Sequence, residues 1–243
     1  MALEVLQSTA QIEQSRATLE ERGISCATAP PSRASRLWAR LVGKAPPVPF
    51  GDVLKSWDVL KTAAFIEQAF SKSARVLDLG AFNSEILSVL HRMGFERLTG
   101  IDMNPGIREM PYANAIDYRV GDFLRTPFPD GSFDVITAIS VIEHGYDAPV
   151  LLGEVSRLLS PGGCFIASFD YWPEKIDTTG TKFFGMDWRI FSKAEVEELV
   201  AEAEPFGLLP ERAPSFDAQE RPVHCAGRDY TFAWAVFRKR GAR

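Results

Sequence analysis

The chain has 243 residues, 46% hydrophobic and 24% charged, and its 27 Lys+Arg against 32 Asp+Glu leave a formal net charge of -5. This composition suits a water-soluble globular protein with one sizeable core and an appendage, and argues against two full domains. The acidic balance also argues against nucleic acid as a partner, because phosphate recognition shows as a basic excess. Three scattered cysteines, Cys26, Cys164 and Cys225, support neither a disulfide framework nor a four-ligand zinc site, and fit a reducing compartment. The start, MALEVLQSTAQIEQ, has no basic, apolar secretory pattern, and no apolar run approaches spanning length. A cytoplasmic protein without stable membrane insertion is the expectation.

Along the first 25 residues, Leu3, Leu6, Ile12 and Leu19 recur among Glu, Gln and Arg in a loose helical pattern. Proline-rich stretches at 29–32 and 45–49 then bracket residues 35–44, where a helix would be interrupted on both sides. There Arg33, Arg36, Arg40 and Lys44 accompany Leu37, Trp38 and Leu41. Two readings stay open: a basic amphipathic helix for an anionic ligand or lipid surface, or a solvated helix packed through Trp38 and Leu41.

From residue 74 short β-rich runs at 75–79, 97–101, 117–120, 133–139 and 164–169 alternate with helical stretches at 84–93 and 148–159. Strand then helix, repeated, predicts a parallel α/β sheet. Ser192-Lys193-Ala194-Glu195 reads as a capping box opening a helix that ends near Pro205 and Gly207. Strands at 208–209 and 230–237 close the chain.

Three of these strands end on acidic residues. The first, Val76-Leu77-Asp78-Leu79-Gly80, turns through Ala81-Phe82-Asn83-Ser84 into a helix, so a ligand at its carboxyl end meets a glycine backbone and a helix N-terminus. The second ends on Asp102, 22 residues beyond Gly80, where a carboxylate can accept from both hydroxyls of a ribose. The third leads into Gly121-Asp122-Phe123, a carboxylate beside an aromatic that suits an adenine.

With these motifs the sequence resembles the class I S-adenosylmethionine-dependent methyltransferases, particularly the small-molecule branch, over about residues 76–189. The resemblance extends to Thr126-Pro127-Phe128-Pro129-Asp130-Gly131-Ser132-Phe133-Asp134 before the fourth strand, Val141-Ile142-Glu143-His144 after it, and Leu158-Leu159-Ser160-Pro161-Gly162-Gly163 before the fifth. It implies an α/β, Rossmann-like, seven-stranded and mostly parallel sheet with an antiparallel last strand. Residues 1–60 would form an N-terminal helical extension and linker, and residues 61–243 the methyltransferase domain, with 171–191 as an acceptor-side loop. S-adenosylmethionine is the implied cofactor and S-adenosylhomocysteine the product. Asp78, Gly80 and Ala81 would carry the methionine loop, Asp102 the ribose, Met103, Asp122 and Phe123 the adenine, and Ser140 would lie beside the sulfonium. The family's loop D-x-G-x-G-x-G reads here with Phe82 and Ser84 in place of its second and third glycines, which puts bulk where a backbone approaches the cofactor.

Methyl transfer to a hydroxyl needs alignment and a base. His144, at the end of the fourth strand, is the candidate, either as base or as a helix-start residue bonding its neighbours, and Asp170 is the second. A metal-binding Glu-x-x-Glu-His arrangement would lack its first glutamate, replaced by Ser140, so no metal is expected. Tyr171, Trp172 and Trp188 on the following connection could stack on a flat acceptor. The segment resembles enzymes of saccharide or natural-product pathways, making an O-methylated small molecule the expected partner of a monomer or homodimer. A non-catalytic binding subunit of the same fold is the alternative; a nicotinamide-dependent oxidoreductase is disfavoured by the absent G-x-G-x-x-G. If residues 1–45 only cover the acceptor site, deleting them raises the acceptor KM and spares cofactor affinity; equal loss of both means a folding role.

Overall fold

The computed structural model describes residues 3–28, 50–145, 147–211 and 215–241. The basic segment at 33–44 lies outside them. In chain order the elements are strand β1 (Leu3–Val5), helix α1 (Thr9–Glu21), helix α2 (Ser56–Ala69), strand β2 (Arg75–Leu79), helix α3 (Ile86–Arg92), and strands β3 (Arg97–Asp102), β4 (Asp117–Val120) and β5 (Phe133–Ile139). Helix α4 (Ala148–Leu158) and strand β6 (Leu159–Tyr171) follow, then a small hairpin of β7 (Lys182–Phe183) and β8 (Met186–Asp187). Helix α5 (Lys193–Ala203) and strands β9 (Leu208–Pro210), β10 (Val223–Cys225) and β11 (Arg228–Lys239) complete the chain.

The sheet runs β1-β11-β6-β5-β2-β3-β4, with β9 and β10 also paired to β11. Pairs among β6, β5, β2, β3 and β4 are parallel, as the alternation of elements predicts, and β11 is antiparallel to β6, as the resemblance implies. Period-2 alternation divides the core between two faces. Val76, Val135, Cys164 and Ile166 pack beneath α1, α2 and α3, while Leu77, Ile136, Phe165 and Ala167 pack against α4 and α5. On α4, Leu151, Leu152, Val155 and Leu158 form the buried stripe. Each such side chain stabilises by about 1.5–3 kcal/mol. The Ser192 and Glu195 capping box opens α5 as the sequence predicts.

The N-terminus differs from the expected helical extension. Its first described residues form a strand, not a helix: Leu3, Glu4 and Val5 pair with Ala235, Trp234 and Ala233 of β11. Alternation explains this, since Leu3 and Val5 both face the buried side while a helix would scatter them. Helix α1 then packs on α2, and α2 runs through residue 60, where the extension was expected to end. Residues 3–28 therefore share the main core.

Candidate active site

Strands β2, β3, β5 and β6 point their carboxyl ends into one cleft of about 950 Å³. Open parallel sheets place ligands there because the loops that follow the strands are free to diverge. One half of the cleft is lined by Gly80, Phe82, Ser84, Asp102, Met103, Phe123 and Ser140; the other by His144, Asp170, Trp188 and further aromatic residues.

In the first half, Asp102 organises the turn after β2. Its Oδ2 accepts from the Phe82 amide at 3.1 Å and its Oδ1 from the Asn104 amide at 2.7 Å, each oxygen keeping a lone pair for a ligand. Met103 stands 55% exposed, an apolar wall left open beside that carboxylate. Ser140 sits at φ +53°, and its buried Oγ has no partner, as has none the Oγ of Ser84. The ring of Phe82 lines the cleft and packs on the facing turn. It is seated over Gly106, where an added Cβ would come within 2.8 Å of Phe82 Cε2, so the glycine lost from the loop is matched by one in the facing turn. Gly80 is required for a different neighbour: a Cβ there would lie 2.6 Å from Val141 Cγ2.

Three expected cofactor residues do not line the cleft. Asp78 is fully buried beneath the loop, where Thr137 Oγ1 donates to it at 2.7 Å. Ala81 packs toward Gly100, and Asp122 caps its own turn by accepting from the Leu124 amide at 2.8 Å. Strand-end carboxylates often serve such turns, and here two of three do.

In the second half, His144 is not a helix-start residue, since Asp147 caps α4. It is bridged to Trp188, with the Arg189 amide donating to the Glu143 carbonyl at 2.9 Å and the Gly145 amide to the Asp187 carbonyl at 3.1 Å. The rings of Phe183 and Phe184 meet the imidazole edge-on at 5.7 and 5.8 Å. Burial, aided by the Lys55 charge, lowers the His144 pKa to about 4, so the ring is neutral at pH 7, and its Nδ1 has no partner. Trp188 Nε1 donates to Asp170 Oδ2 at 2.7 Å.

Tyr171 and Trp172 stand apart from the cleft, contrary to expectation. Strand alternation turns Tyr171 to the face opposite Asp170, where it is buried and its hydroxyl donates to the Phe216 carbonyl at 2.8 Å. Trp172 stacks instead with the Arg221 guanidinium, 4.0 Å from its ring centre. His224 lies on β10 at the rim, with Nδ1 2.6 Å from Asp229 Oδ1. Among the described residues no group of three or more His, Cys, Asp or Glu is arranged to hold a metal, and no helix is long and apolar enough to cross a membrane.

The sequence reading missed Lys55, Asp58 and the buried carboxyl of Glu143. Lys55 Nζ sits 3.4 Å from the centre of the Phe232 ring and 3.9 Å from Asp170 Oδ1. Asp58, on α2, accepts from Ser168 Oγ at 2.8 Å in the core beneath the cleft. Only the β-face alternation of Ser168 and Asp170 hinted at such a partner.

These carboxyls carry a pH signature. Burial pushes Asp58 and Asp78 up to about 7 and also raises Glu143 and Asp170, the former further by the Asp170 charge. The unfolded chain releases these protons at about pH 4 while the native state holds them. Stability is therefore greatest below that pH for these groups and, for Asp58 and Asp78, is lost as pH rises through about 7, Glu143 and Asp170 acting in the same direction; His144, depressed, works oppositely but is one group against four. The melting temperature is expected to be higher at pH 5 than at pH 8, with Asp58→Asn narrowing the gap. A melting temperature that rises over this interval contradicts the assignment.

A family profile described as a methyltransferase domain matches residues 77–167. The chain is 30% identical over 103 residues to the ubiquinone biosynthesis O-methyltransferase of Azorhizobium caulinodans, covering 40% of each chain. It is 26% identical over 160 residues to the 27-O-demethylrifamycin SV methyltransferase of Amycolatopsis mediterranei, covering 61% of this chain and 58% of that one. The matched segments thus span less than two thirds of these relatives' length. Among solved structures, a sarcosine dimethylglycine methyltransferase from Galdieria sulphuraria superposes with a TM-score of 0.55 at 18% identity, over 86% of this chain and 99% of that one. The (4+2)-cyclase SpnF superposes over 99% of both chains with a TM-score of 0.58 at 15% identity, which shows the shared fold alone. Together with the parallel sheet and the cleft at its strand ends, the match identifies residues 77–167 as a class I S-adenosylmethionine-dependent methyltransferase domain.

Proposed function

We propose that the chain transfers a methyl group from S-adenosylmethionine to a hydroxyl of a small molecule, in the saccharide or natural-product class. The observation that carries this reading is a single cleft with Asp102, Met103 and Ser140 at one end and the neutral, unpartnered His144 at the other. The first half fits the cofactor that the family implies: Asp102 has lone pairs for ribose hydroxyls, Met103 offers an apolar face, and the unsatisfied Ser84 and Ser140 hydroxyls await polar partners. When bound, the cofactor supplies an electrophilic methyl on a sulfonium.

The chain's own residues have three tasks. Asp102 and Met103 fix one end of the cleft; Phe183, Phe184 and Met186 of the β7–β8 hairpin line the other beside His144. His144, a neutral imidazole at pH 7 with its Nδ1 unpartnered, takes the proton of the acceptor hydroxyl as the oxygen becomes the nucleophile. Aligning the two reactants is the remaining source of rate.

The test is transfer of label from methyl-labelled S-adenosylmethionine into a panel of small hydroxyl compounds, sugars and phenols included. Labelled ether products support the reading. Cofactor binding with no transfer to any compound class favours a non-catalytic binding subunit, and tight binding of a nicotinamide cofactor alone makes the chain an oxidoreductase.

A further inference from the structure

The floor of the second half of the cleft holds more acceptor atoms than the protein satisfies. Glu143 and Asp170 are only 1% and 4% exposed, yet both line the cleft. Glu143 Oε2, Asp170 Oδ1 and His144 Nδ1 have no hydrogen-bond partner. Buried polar groups are ordinarily satisfied, so three orphans around one cavity mark where a ligand's donors belong.

The charges point the same way. Lys55 is the only lysine or arginine among the described residues lining the cleft, and it lies 3.9 Å from Asp170 Oδ1, beyond hydrogen-bond reach. Glu143 and Asp170 share one ammonium, and burial holds both carboxyls above their ordinary range; a second cation at the floor would draw both toward the ionised form. Trp188, Tyr230, whose hydroxyl interacts with Asp170, and Phe232 line this half, and Phe232 already holds the Lys55 ammonium 3.4 Å from its ring centre, so an aromatic face here attracts a cation. A neutral polyol would supply donors but no charge to draw the two carboxyls into their ionised form.

We propose that the acceptor enters this half of the cleft through a protonated amine, whose N–H groups bond Glu143 and Asp170 beside Trp188. The amine is an anchor, and the hydroxyl to be methylated is then held at His144; in this the inference rests on the methyl-transfer reading. It adds a charge requirement that the fold does not impose.

The test is calorimetric titration of the full chain with phenethylamine and with phenethyl alcohol at pH 7, with and without saturating S-adenosylhomocysteine. The two probes match in size and differ in the charged head. The amine is expected to bind at least about tenfold more tightly than the alcohol, as a charged hydrogen-bond pair requires. Glu143→Gln and Asp170→Asn should each remove most of that preference while leaving the alcohol's affinity in place. An amine that binds no more tightly than the alcohol to the unmodified chain overturns the inference, whatever the variants do. A variant that keeps the full preference removes its carboxylate from the site and overturns the assignment. If S-adenosylhomocysteine binds but the amine shows no preference, this inference alone falls; if the amine is preferred but S-adenosylhomocysteine does not bind, the amine site stands and the methyl-transfer reading falls.

Discussion

Arg16→Ala is expected to destabilise the chain by about 3–5 kcal/mol, the cost of leaving a buried charge without its partner. Arg16 reaches from α1 to Glu85, donating through Nη1 at 3.2 Å and Nη2 at 3.0 Å, and also to Ser56 Oγ at 3.0 Å and Ser25 Oγ at 2.7 Å. Glu85 is 3% exposed, so its carboxylate depends on the guanidinium for its charge partner. Its Oε1 also accepts from the Cys26 and Ala27 amides at 2.6 and 2.8 Å, so one carboxylate gathers the N-terminal segment. Glu85 lies at the entry to α3, directly after the loop that carries Phe82 and Ser84, and it lines the cleft. The substitution should therefore weaken S-adenosylhomocysteine binding as well as lower the melting temperature. Deleting residues 1–45 removes β1 and this ion pair together, so the loss is expected in stability and cofactor affinity, the folding role, and not in acceptor KM alone. Thermal unfolding and calorimetric titration of both variants check this; a deletion variant with unchanged melting temperature and cofactor affinity contradicts it.

His144→Ala is expected to lower kcat by about 10²–10⁴ fold, the usual contribution of a positioned general base, while cofactor affinity stays within twofold. Because burial and Lys55 lower the imidazole pKa to about 4, the base stays free of its proton well below the ordinary histidine range. The acid limb of kcat/KM for an identified acceptor should accordingly fall near pH 4 to 5 and not near 6.5. A merely structural His144, packed between Phe183 and Phe184, would give the opposite pattern: a lowered melting temperature with kcat retained.

The sheet was legible because its signals are local. Runs of β-branched and aliphatic residues mark β2 and β5 at their observed bounds, and the Ser192 to Glu195 spacing marks the start of α5. The acidic end of β3 was legible for the same reason. What escaped depends on partners far along the chain. Leu3 to Val5 becomes a strand only because β11 offers an edge, and Lys55 reaches the cleft, with Asp58 buried beneath it, only because the start of α2 packs against β6. Phe82 looked obstructive until Gly106 supplied its seat. Tyr171, by contrast, could have been assigned away from the cleft from sequence, since adjacent strand residues face opposite sides and Asp170 was already the inward one.

The central claim is that the end of the cleft at Asp102 holds the cofactor. Calorimetric titration of the purified chain with S-adenosylmethionine and S-adenosylhomocysteine, beside an Asp102→Ala variant, tests it most directly. Both ligands are expected to bind the unmodified chain, and the variant to lose about 2 kcal/mol or more of that affinity, as removal of a charged hydrogen-bond acceptor should. Absence of binding to either ligand in a folded sample, or an Asp102→Ala variant that binds as tightly as the parent, would contradict the account.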